Sequence, residues 1–184
     1  MLPVMSLWLP ILLSAVLVFV ASSVIHMFLG YHKNDYARLP DEDHFLDALR
    51  QPAVPPGDYA APHAASMEAM KDPVYVEKTK RGPVVFATVL GSMPSMGATL
   101  VQWFVFCVAV SVVAAYIAGR ALAPGAEYLE VFRFAGTTAW VAYAAALWPM
   151  SIWYKRKWST TLKSTFDGLI YGLLTAGVFG WLWP

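Results

Sequence analysis

The chain has 184 residues, of which 58% are hydrophobic and 14% charged, and its formal net charge is +1. Ordinary soluble domains are roughly 45–50% apolar and about 25% charged, so this composition is that of an integral membrane protein. The absence of a polybasic stretch argues against a nucleic-acid partner, and a single cysteine, Cys107, excludes an internal disulfide and a cysteine-only metal cluster.

The first predicted element is a membrane-spanning helix at residues 5–28. Residues 1–32 contain no Asp, Glu, Lys or Arg, and a span needs about 20 predominantly apolar residues. A secretory signal peptide is the alternative, because ILLSAVLVFVASS ends in small residues. The basic segment that precedes such a signal is missing, so we expect this helix to be retained as an anchor.

Residues 31–96 are predicted to form an ordered loop region with short interfacial elements. DEDHFLDALR predicts a short amphipathic helix with acidic residues in its first turn and Arg50 in its last. QPAVPPGDYAAPHAAS predicts an irregular connector, and DPVYVEKTKRG a second short helix with Asp72 as cap, Pro73 in the first position and Gly82 at its end. VVFATVL is too short to span a membrane, and a strand, a re-entrant piece or a lead-in to the membrane remain open.

Three further spans are predicted in the second half of the chain, at residues 97–119, 130–150 and 161–183. The first is free of charged residues, and the second is closed by Pro149 and the polar segment SIWYKRKWS. The predicted fold class is therefore an all-α membrane protein with four transmembrane helices.

The distribution of basic residues predicts the orientation of these spans. With four spans, 11 of the 13 Lys and Arg residues fall on one side of the membrane or at its boundary, and only Arg120 and Arg133 fall on the other. Cytoplasmic loops carry an excess of basic residues. We expect a multi-pass protein of the bacterial inner membrane with a cytoplasmic long loop and two periplasmic termini.

The last predicted span carries a stripe of small residues. Gly168, Gly172, Ala176 and Gly180 recur at every fourth position and share one side of the helix. Such stripes let the backbones of two membrane helices approach closely. The sequence therefore predicts a neighbouring helix here, either within the chain or in another membrane subunit.

The candidate site residues are His26, His32, Asp35 and Asp167. An ionisable residue within a membrane span is by default a functional-site hypothesis. The plainer interpretation is that Asp167 is paired structurally, with Lys163 one helical turn earlier, a helix end or a hydroxyl.

A metal site at these residues requires the first helix to end early. On a continuous helix His26 and His32 would lie roughly 120° apart and could not chelate an ion together. If Gly30 ends the helix, His32 and Asp35 can turn back and join His44 or His63, since imidazole and carboxylate suit several divalent metals. The sequence favours histidines at the interface or surface without a metal, because no recognised motif supports a site.

The sequence contains no motif that anchors an enzymatic function. A glycine-rich phosphate loop, a G-x-S-x-G elbow, a Cys-x-x-Cys pair and an H-E-x-x-H pair are all missing, and no particular cofactor is indicated. We expect a non-enzymatic accessory or structural subunit of a larger respiratory or photosynthetic membrane complex. The alternative is a metal-, quinone- or proton-binding membrane protein that uses the His/Asp cluster. A third is a small homo-oligomeric channel or transporter lined by Gln102, Ser111, Thr137 and Thr138.

Two motifs and the C-terminal stretch carry a resemblance to a known family. The motifs are H-x5-H-x2-DY-x2-LP-x-ED-x3-DALR at residues 26–50 and APGAEYLEVFR at residues 123–133. In these segments the chain resembles a family of small bacterial membrane proteins, over nearly its full length. The resemblance implies a bacterial source. It implies no activity and no catalytic residue, because none is assigned to that family.

Overall fold

The computed structural model describes residues 2–184, which divide into two compact units. One unit comprises residues 2–37 together with Ser95–Pro184, and the other comprises Arg38–Pro94. The larger unit contains all the long helices, and the smaller contains two short helices and a two-stranded sheet. The prediction of a mostly helical chain is confirmed.

The larger unit is a bundle of four long helical segments. Helix α1 (Trp8–Phe28) follows a 3-10 turn at Val4–Leu7. The other segments are α4 (Met96–Ala121), α5 (Tyr128–Ala144) with its short continuation α6 (Trp148–Ile152), and α7 (Trp158–Trp181). Val4–Phe28 and Met96–Ala121 are each long and apolar enough to cross a membrane.

The four segments form a closed ring in which each contacts two others. Helix α1 lies against α4 and α7, and α5 lies against the same two helices. Two clusters of buried side chains fill the interior, one around Leu7, Val131 and Phe179 and the other around Val18, Tyr143 and Tyr171. Two serines also point inward, and the Ser14 hydroxyl donates to the Ser111 hydroxyl at 3.1 Å.

Helices α5 and α7 make the closest approach in the bundle. A Cβ added to Gly136 would lie 2.6 Å from the Ala176 Cβ, and one added to Gly172 would lie 2.9 Å from the Trp140 Cβ. In the predicted small-residue stripe on α7, Gly168 lies against Ala144 and Gly180 lies against the Tyr128 ring. Both of these neighbours belong to α5. The stripe on α7 is therefore occupied by α5 of its own chain.

The path from α5 to α6 is interrupted by a 3-10 turn at Ala145–Leu147. Pro149 causes this interruption, because proline has no N–H for the carbonyl four residues earlier and its ring would clash with that carbonyl. The Trp148 N–H bonds to the Ala145 carbonyl, which tightens the turn.

One end of the bundle gathers both chain termini and the α4–α5 loop. The Leu2 N–H bonds to the Gly119 carbonyl at 2.9 Å, and the Gly125 N–H bonds to the Pro184 carbonyl at 2.6 Å. The Trp183 indole N–H also donates to the Ala123 carbonyl at 3.0 Å. The connections at residues 29–37 and 153–157 therefore leave the bundle at the opposite end.

The two short helices of the smaller unit are confirmed. Helix α2 (Glu42–Arg50) begins after Asp41, whose carboxylate accepts the His44 N–H at 3.3 Å. Helix α3 (Pro73–Arg81) begins after Asp72, which accepts the Val74 N–H at 2.7 Å, and it ends at Gly82 with a φ of +62°. None of residues 38–94 is buried.

The prediction of an irregular proline-marked connector is wrong at Gly57–Ala61. This segment forms strand β1 and pairs in antiparallel register with β2 (Val85–Val89), so the strand alternative for VVFATVL is the one observed. The Thr88 hydroxyl donates to the Asp58 carboxylate across the pair at 2.6 Å. Sequence periodicity missed β1 because it is short and alanine-rich, and its partner lies far along the chain.

We predict that Gly172→Ala destabilises the bundle, because the new methyl group would overlap Trp140 and separate α5 from α7. Overfilling a close contact costs about 1–3 kcal/mol, which should lower the melting temperature of the purified protein. Gly177→Ala is the matched control on the same helix, since its Cβ would meet only the Tyr128 hydroxyl at 3.9 Å. Equal melting temperatures for the two variants would contradict a tight α5–α7 contact.

Candidate functional site

The predicted site residues meet because the chain reverses directly after α1. Helix α1 ends at Phe28, and Gly30 has a φ of +68°, a left-handed conformation that glycine adopts without strain. Two turn hydrogen bonds follow, from the Lys33 N–H to the Gly30 carbonyl at 3.2 Å and from the Asp35 N–H to the His32 carbonyl at 3.0 Å. The segment 29–37 therefore folds back toward α7.

His32 lies between two carboxylates. Its Nδ1 is 2.7 Å from Asp35 Oδ2, and its Nε2 is 2.9 Å from Asp167 Oδ2. Carboxylate oxygens accept hydrogen bonds, so a ring nitrogen that carries a proton donates to the carboxylate it faces. The imidazole thus links the segment after α1 to the middle of α7.

Lys163 makes a second link between the same two elements. Its Nζ donates to Asp35 Oδ1 at 2.9 Å and to the Tyr31 carbonyl at 2.5 Å. Of the partners that the sequence suggested for Asp167, Lys163 is wrong and a hydroxyl is confirmed, namely that of Tyr31. The ammonium group points to the folded-back segment instead, because Asp35 and a backbone carbonyl together satisfy more of its donors than Asp167 alone would.

Asp167 is buried, with 2% of its surface exposed. A buried carboxylate requires hydrogen-bond donors, and two reach it. The Tyr31 hydroxyl donates to one oxygen and His32 to the other. Tyr31 is a site residue that the sequence analysis missed, and its position beside His32 is the only sequence signal that could have indicated it.

The ionisation of Tyr31 and Asp35 keeps this network in one arrangement. Burial and the hydrogen bond to Asp167 raise the pKa of Tyr31, so the phenol remains a donor. Burial alone would raise the pKa of Asp35, but hydrogen bonds from His32 and Lys163 and the charge of Lys163 outweigh it and lower that pKa. Asp35 is therefore a carboxylate that accepts from both neighbours.

His26 completes a group of three possible metal ligands. Its ring lies 4.5 Å from the His32 ring between centroids. One ligand atom from each of His26, His32 and Asp167 can be chosen so that all three lie within 4.8 Å of one another. The two histidines meet because α1 ends between them, whereas the continuous-helix estimate separated them by about 120°. The cluster forms with Asp167, whereas His44 and His63 belong to the other unit.

A cavity of about 260 Å³ opens beside this cluster. His26 and Asp167 form part of its wall, and four aromatic side chains from α4, α5 and α7 form half of the rest. These six residues are His26, Trp103, Phe106, Tyr143, Asp167 and Tyr171. The cavity joins an apolar space to a group of ionisable side chains.

No family model, no curated protein and no solved structure matches this chain. The resemblance to a family of small bacterial membrane proteins therefore stays a prediction.

We predict that Asp35→Asn lowers the stability of the protein by about 1.5–3 kcal/mol, the usual contribution of hydrogen bonds to charged groups. The amide would place a donor against either Lys163 or His32 and leave one of them without an acceptor. Thermal unfolding with a chelator present measures this effect. Asp47→Asn is the control, since Asp47 pairs with Arg50 at the surface, where an ion pair contributes about 0–1 kcal/mol. An equal effect of both substitutions would contradict the role of Asp35.

Proposed function

We propose that this chain is a four-span membrane protein that binds a divalent metal ion through His26, His32 and Asp167. The single observation that carries the proposal is the geometry of His32, whose Nδ1 is held by Asp35 while its Nε2 faces Asp167 and its ring lies 4.5 Å from that of His26. The membrane location and the metal are supported by separate observations.

The surface of the two most apolar helices supports a membrane location. In their most apolar windows only 33% of Val4–Phe28 and 28% of Met96–Ala121 is buried, unlike the core helix of a soluble protein. On α1 the inward positions include Ser14 and Ser22, whereas the exposed stripe consists of Leu9, Leu12, Val16, Val20 and Val24. An apolar exterior around a partly polar interior suits a lipid surrounding.

The ring arrangement of the bundle supports the proposal of four spans. Helices α5 and α7 run alongside the two apolar helices, and the termini share one end of the bundle with the α4–α5 loop. The basic KRK segment leaves from the other end, together with the loop after α1. The positive-inside rule then orients this basic end toward the cytoplasm, with both termini periplasmic.

We predict that residues at the two ends of the bundle label from opposite sides of the membrane. In a Cys107→Ser background, Ser6→Cys should react with a membrane-impermeant maleimide in intact spheroplasts. Ser159→Cys, beside the KRK segment, should react only after lysis. Labelling of both positions in intact spheroplasts would refute the four-span topology.

The hydrogen bond between His32 and Asp35 supports the proposal that His32 binds a metal ion. Histidines that ligate metals donate their other ring N–H to a carboxylate or carbonyl, which fixes the tautomer and the orientation of the ring. Asp35 supplies that carboxylate, and Lys163 fixes Asp35 in turn. Tyr31 holds the Asp167 oxygen that faces away from His32. Each proposed ligand except His26 is therefore oriented by a further contact.

The donor set fits an ion of the Zn²⁺ class. Imidazole nitrogen and carboxylate oxygen bind Zn²⁺ at about 2.0–2.2 Å, and three protein ligands leave one position open. An ion would replace the hydrogen bond between His32 Nε2 and Asp167, and the Nε2 proton would be released. The Nδ1 proton would stay on the hydrogen bond to Asp35. His26 and Asp167 line the cavity, so the open position would face it.

We predict that the purified protein, stripped with a chelator and reloaded with Zn²⁺, retains about one ion per chain after gel filtration, as measured by elemental analysis. His26→Ala should abolish this retention, and it should leave the fold intact because His26 is exposed and outside the hydrogen-bond network. Asp35→Asn should weaken Zn²⁺ binding about 10–100-fold, as loss of such supporting contacts does.

His63→Ala is the matched control, because His63 is an exposed histidine in the other unit. Equal Zn²⁺ retention by the wild type, His26→Ala and His63→Ala would show that the ion binds elsewhere. A wild type that retains no Zn²⁺ would also overturn the metal assignment.

The predictions of an accessory subunit and of a channel stay predictions. The small-residue stripe on α7, which favoured contact with a partner subunit, is occupied by α5. Ser111, one of the polar residues considered for a channel lining, is buried against Ser14. Neither observation favours these functions over metal binding.

A further inference from the structure

The segment between α6 and α7 carries three consecutive basic residues, Lys155, Arg156 and Lys157. Among residues 2–184, no carboxylate lies within ion-pair distance of their side chains. At this end of the bundle the larger unit offers Asp35 and Asp167, and both are already bonded within the site cluster. The positive charge of the segment is therefore not compensated by its own unit.

The three basic side chains differ in their surroundings. Lys155 has a φ of +57°, and its ammonium group donates to the carbonyl of Ile152 at 2.9 Å, at the end of α6. Arg156 is half-buried and Lys157 exposed, and neither side chain has an acceptor in the described part of the chain. A guanidinium group presents a planar fork of donors that fits the oxygens of a phosphate. Arg156 and Lys157 are therefore the cations available to an external anion.

Exposed tryptophans flank the basic segment along the chain. Trp153 precedes it and is 74% exposed, and Trp158 follows it directly and is 47% exposed. The Trp158 ring lies 5.8 Å from that of Trp148 in an edge-on arrangement, and Trp148 is 41% exposed. Tryptophan is enriched where a membrane meets water, because its ring is apolar and its N–H needs a polar partner. In the proposed four-span topology, the basic segment lies at the depth of the lipid headgroups.

The combination of cations and indole rings favours a phospholipid over a soluble anion. A free phosphate would pair with Arg156 and Lys157 but would leave the indole rings in water. A phospholipid presents its phosphate to the cations and its glycerol and acyl region to the rings. A zwitterionic headgroup carries its own cation beside the phosphate, which competes with the two side chains, so a headgroup with a net negative charge fits best.

We infer that Arg156 and Lys157, with Trp153 and Trp158 on either side, bind the headgroup of an anionic phospholipid. Each cation near an anionic membrane surface strengthens binding roughly fivefold. The inference rests on the membrane part of the proposed function. It is independent of the metal, because none of these four residues is a proposed ligand.

The test compares dioleoyl phosphatidylglycerol with dioleoyl phosphatidylcholine, which have the same acyl chains and differ in headgroup charge. The purified full chain receives an equimolar mixture of the two lipids with a chelator present, and native mass spectrometry counts each bound lipid. The wild type should bind phosphatidylglycerol at least about tenfold more strongly, since two cations contribute. An excess of glycerol 3-phosphate, a soluble phosphate, should not displace it.

The Arg156→Gln/Lys157→Gln variant removes both cations and should lower the preference for phosphatidylglycerol at least about tenfold. Arg156→Lys/Lys157→Arg keeps both charges and should keep the preference. Lys78→Gln/Lys80→Gln is the matched control, because it removes two exposed cations from α3 in the other unit, and it should leave the preference unchanged. Trp153→Leu should weaken both lipids equally. Melting temperatures report whether each variant is folded.

Equal binding of the two lipids by the wild type would overturn the inference, as would an unchanged preference in Arg156→Gln/Lys157→Gln or an equal loss in Lys78→Gln/Lys80→Gln. Displacement by glycerol 3-phosphate would assign the cations to a soluble phosphate and overturn it too. These results leave the four spans and the metal unaffected, because cysteine labelling and Zn²⁺ retention test those separately. Failure of the labelling test would remove the bilayer on which the inference depends.

Discussion

The burial of the Asp167 carboxylate is the constraint on which the arrangement of the bundle end depends. A carboxylate taken out of water must receive hydrogen bonds from close donors, and one left unpaired would be strongly destabilising. Helix α7 supplies none of the side-chain donors that reach Asp167, since its own Lys163 points to Asp35. The donors come from the segment after α1, which must therefore reverse at Gly30 to deliver Tyr31 and His32.

The close approach of α5 and α7 adds a second constraint. Between membrane helices in lipid, association depends on dispersion contacts and interhelical hydrogen bonds, because the lipid is as apolar as the side chains. Glycine and alanine on both helices let the backbones come together, with Gly136 and Gly172 on facing surfaces. This contact fixes the separation of Tyr143 on α5 from Tyr171 on α7, and so the width of the cavity.

Local signals in the sequence were sufficient for the two short helices and their caps. Asp72, Pro73 and Gly82 bound α3 as predicted, because capping depends only on neighbouring residues. The pairing of β1 with β2 was not predictable in this way. It joins residues about 28 positions apart on average and buries none of them, so it leaves no alternating hydrophobic pattern.

The candidate site shows even more clearly that local sequence signals do not predict contacts between distant residues. Sequence reasoning selected His26, His32, Asp35 and Asp167, because ionisable residues near apolar runs are rare and costly. It offered Lys163 as one possible partner of Asp167, although Lys163 contacts Asp35, and it allowed for a hydroxyl without identifying Tyr31. Both errors have one origin: the choice between partners depends on the backbone reversal at Gly30, and spacing along a helix carries no information about the path beyond its end.

The 3-10 turn at Ala145–Leu147 has a consequence for the cavity. Ala146 and Leu147 belong to the cavity wall, so one side of it is built from the turn where the regular hydrogen-bond ladder of the helix is broken. A stretch of this kind within a helix often marks a hinge. It is the part of the wall that can yield with the least loss of backbone bonding, so the cavity can widen there without separating the tightly packed α5–α7 pair.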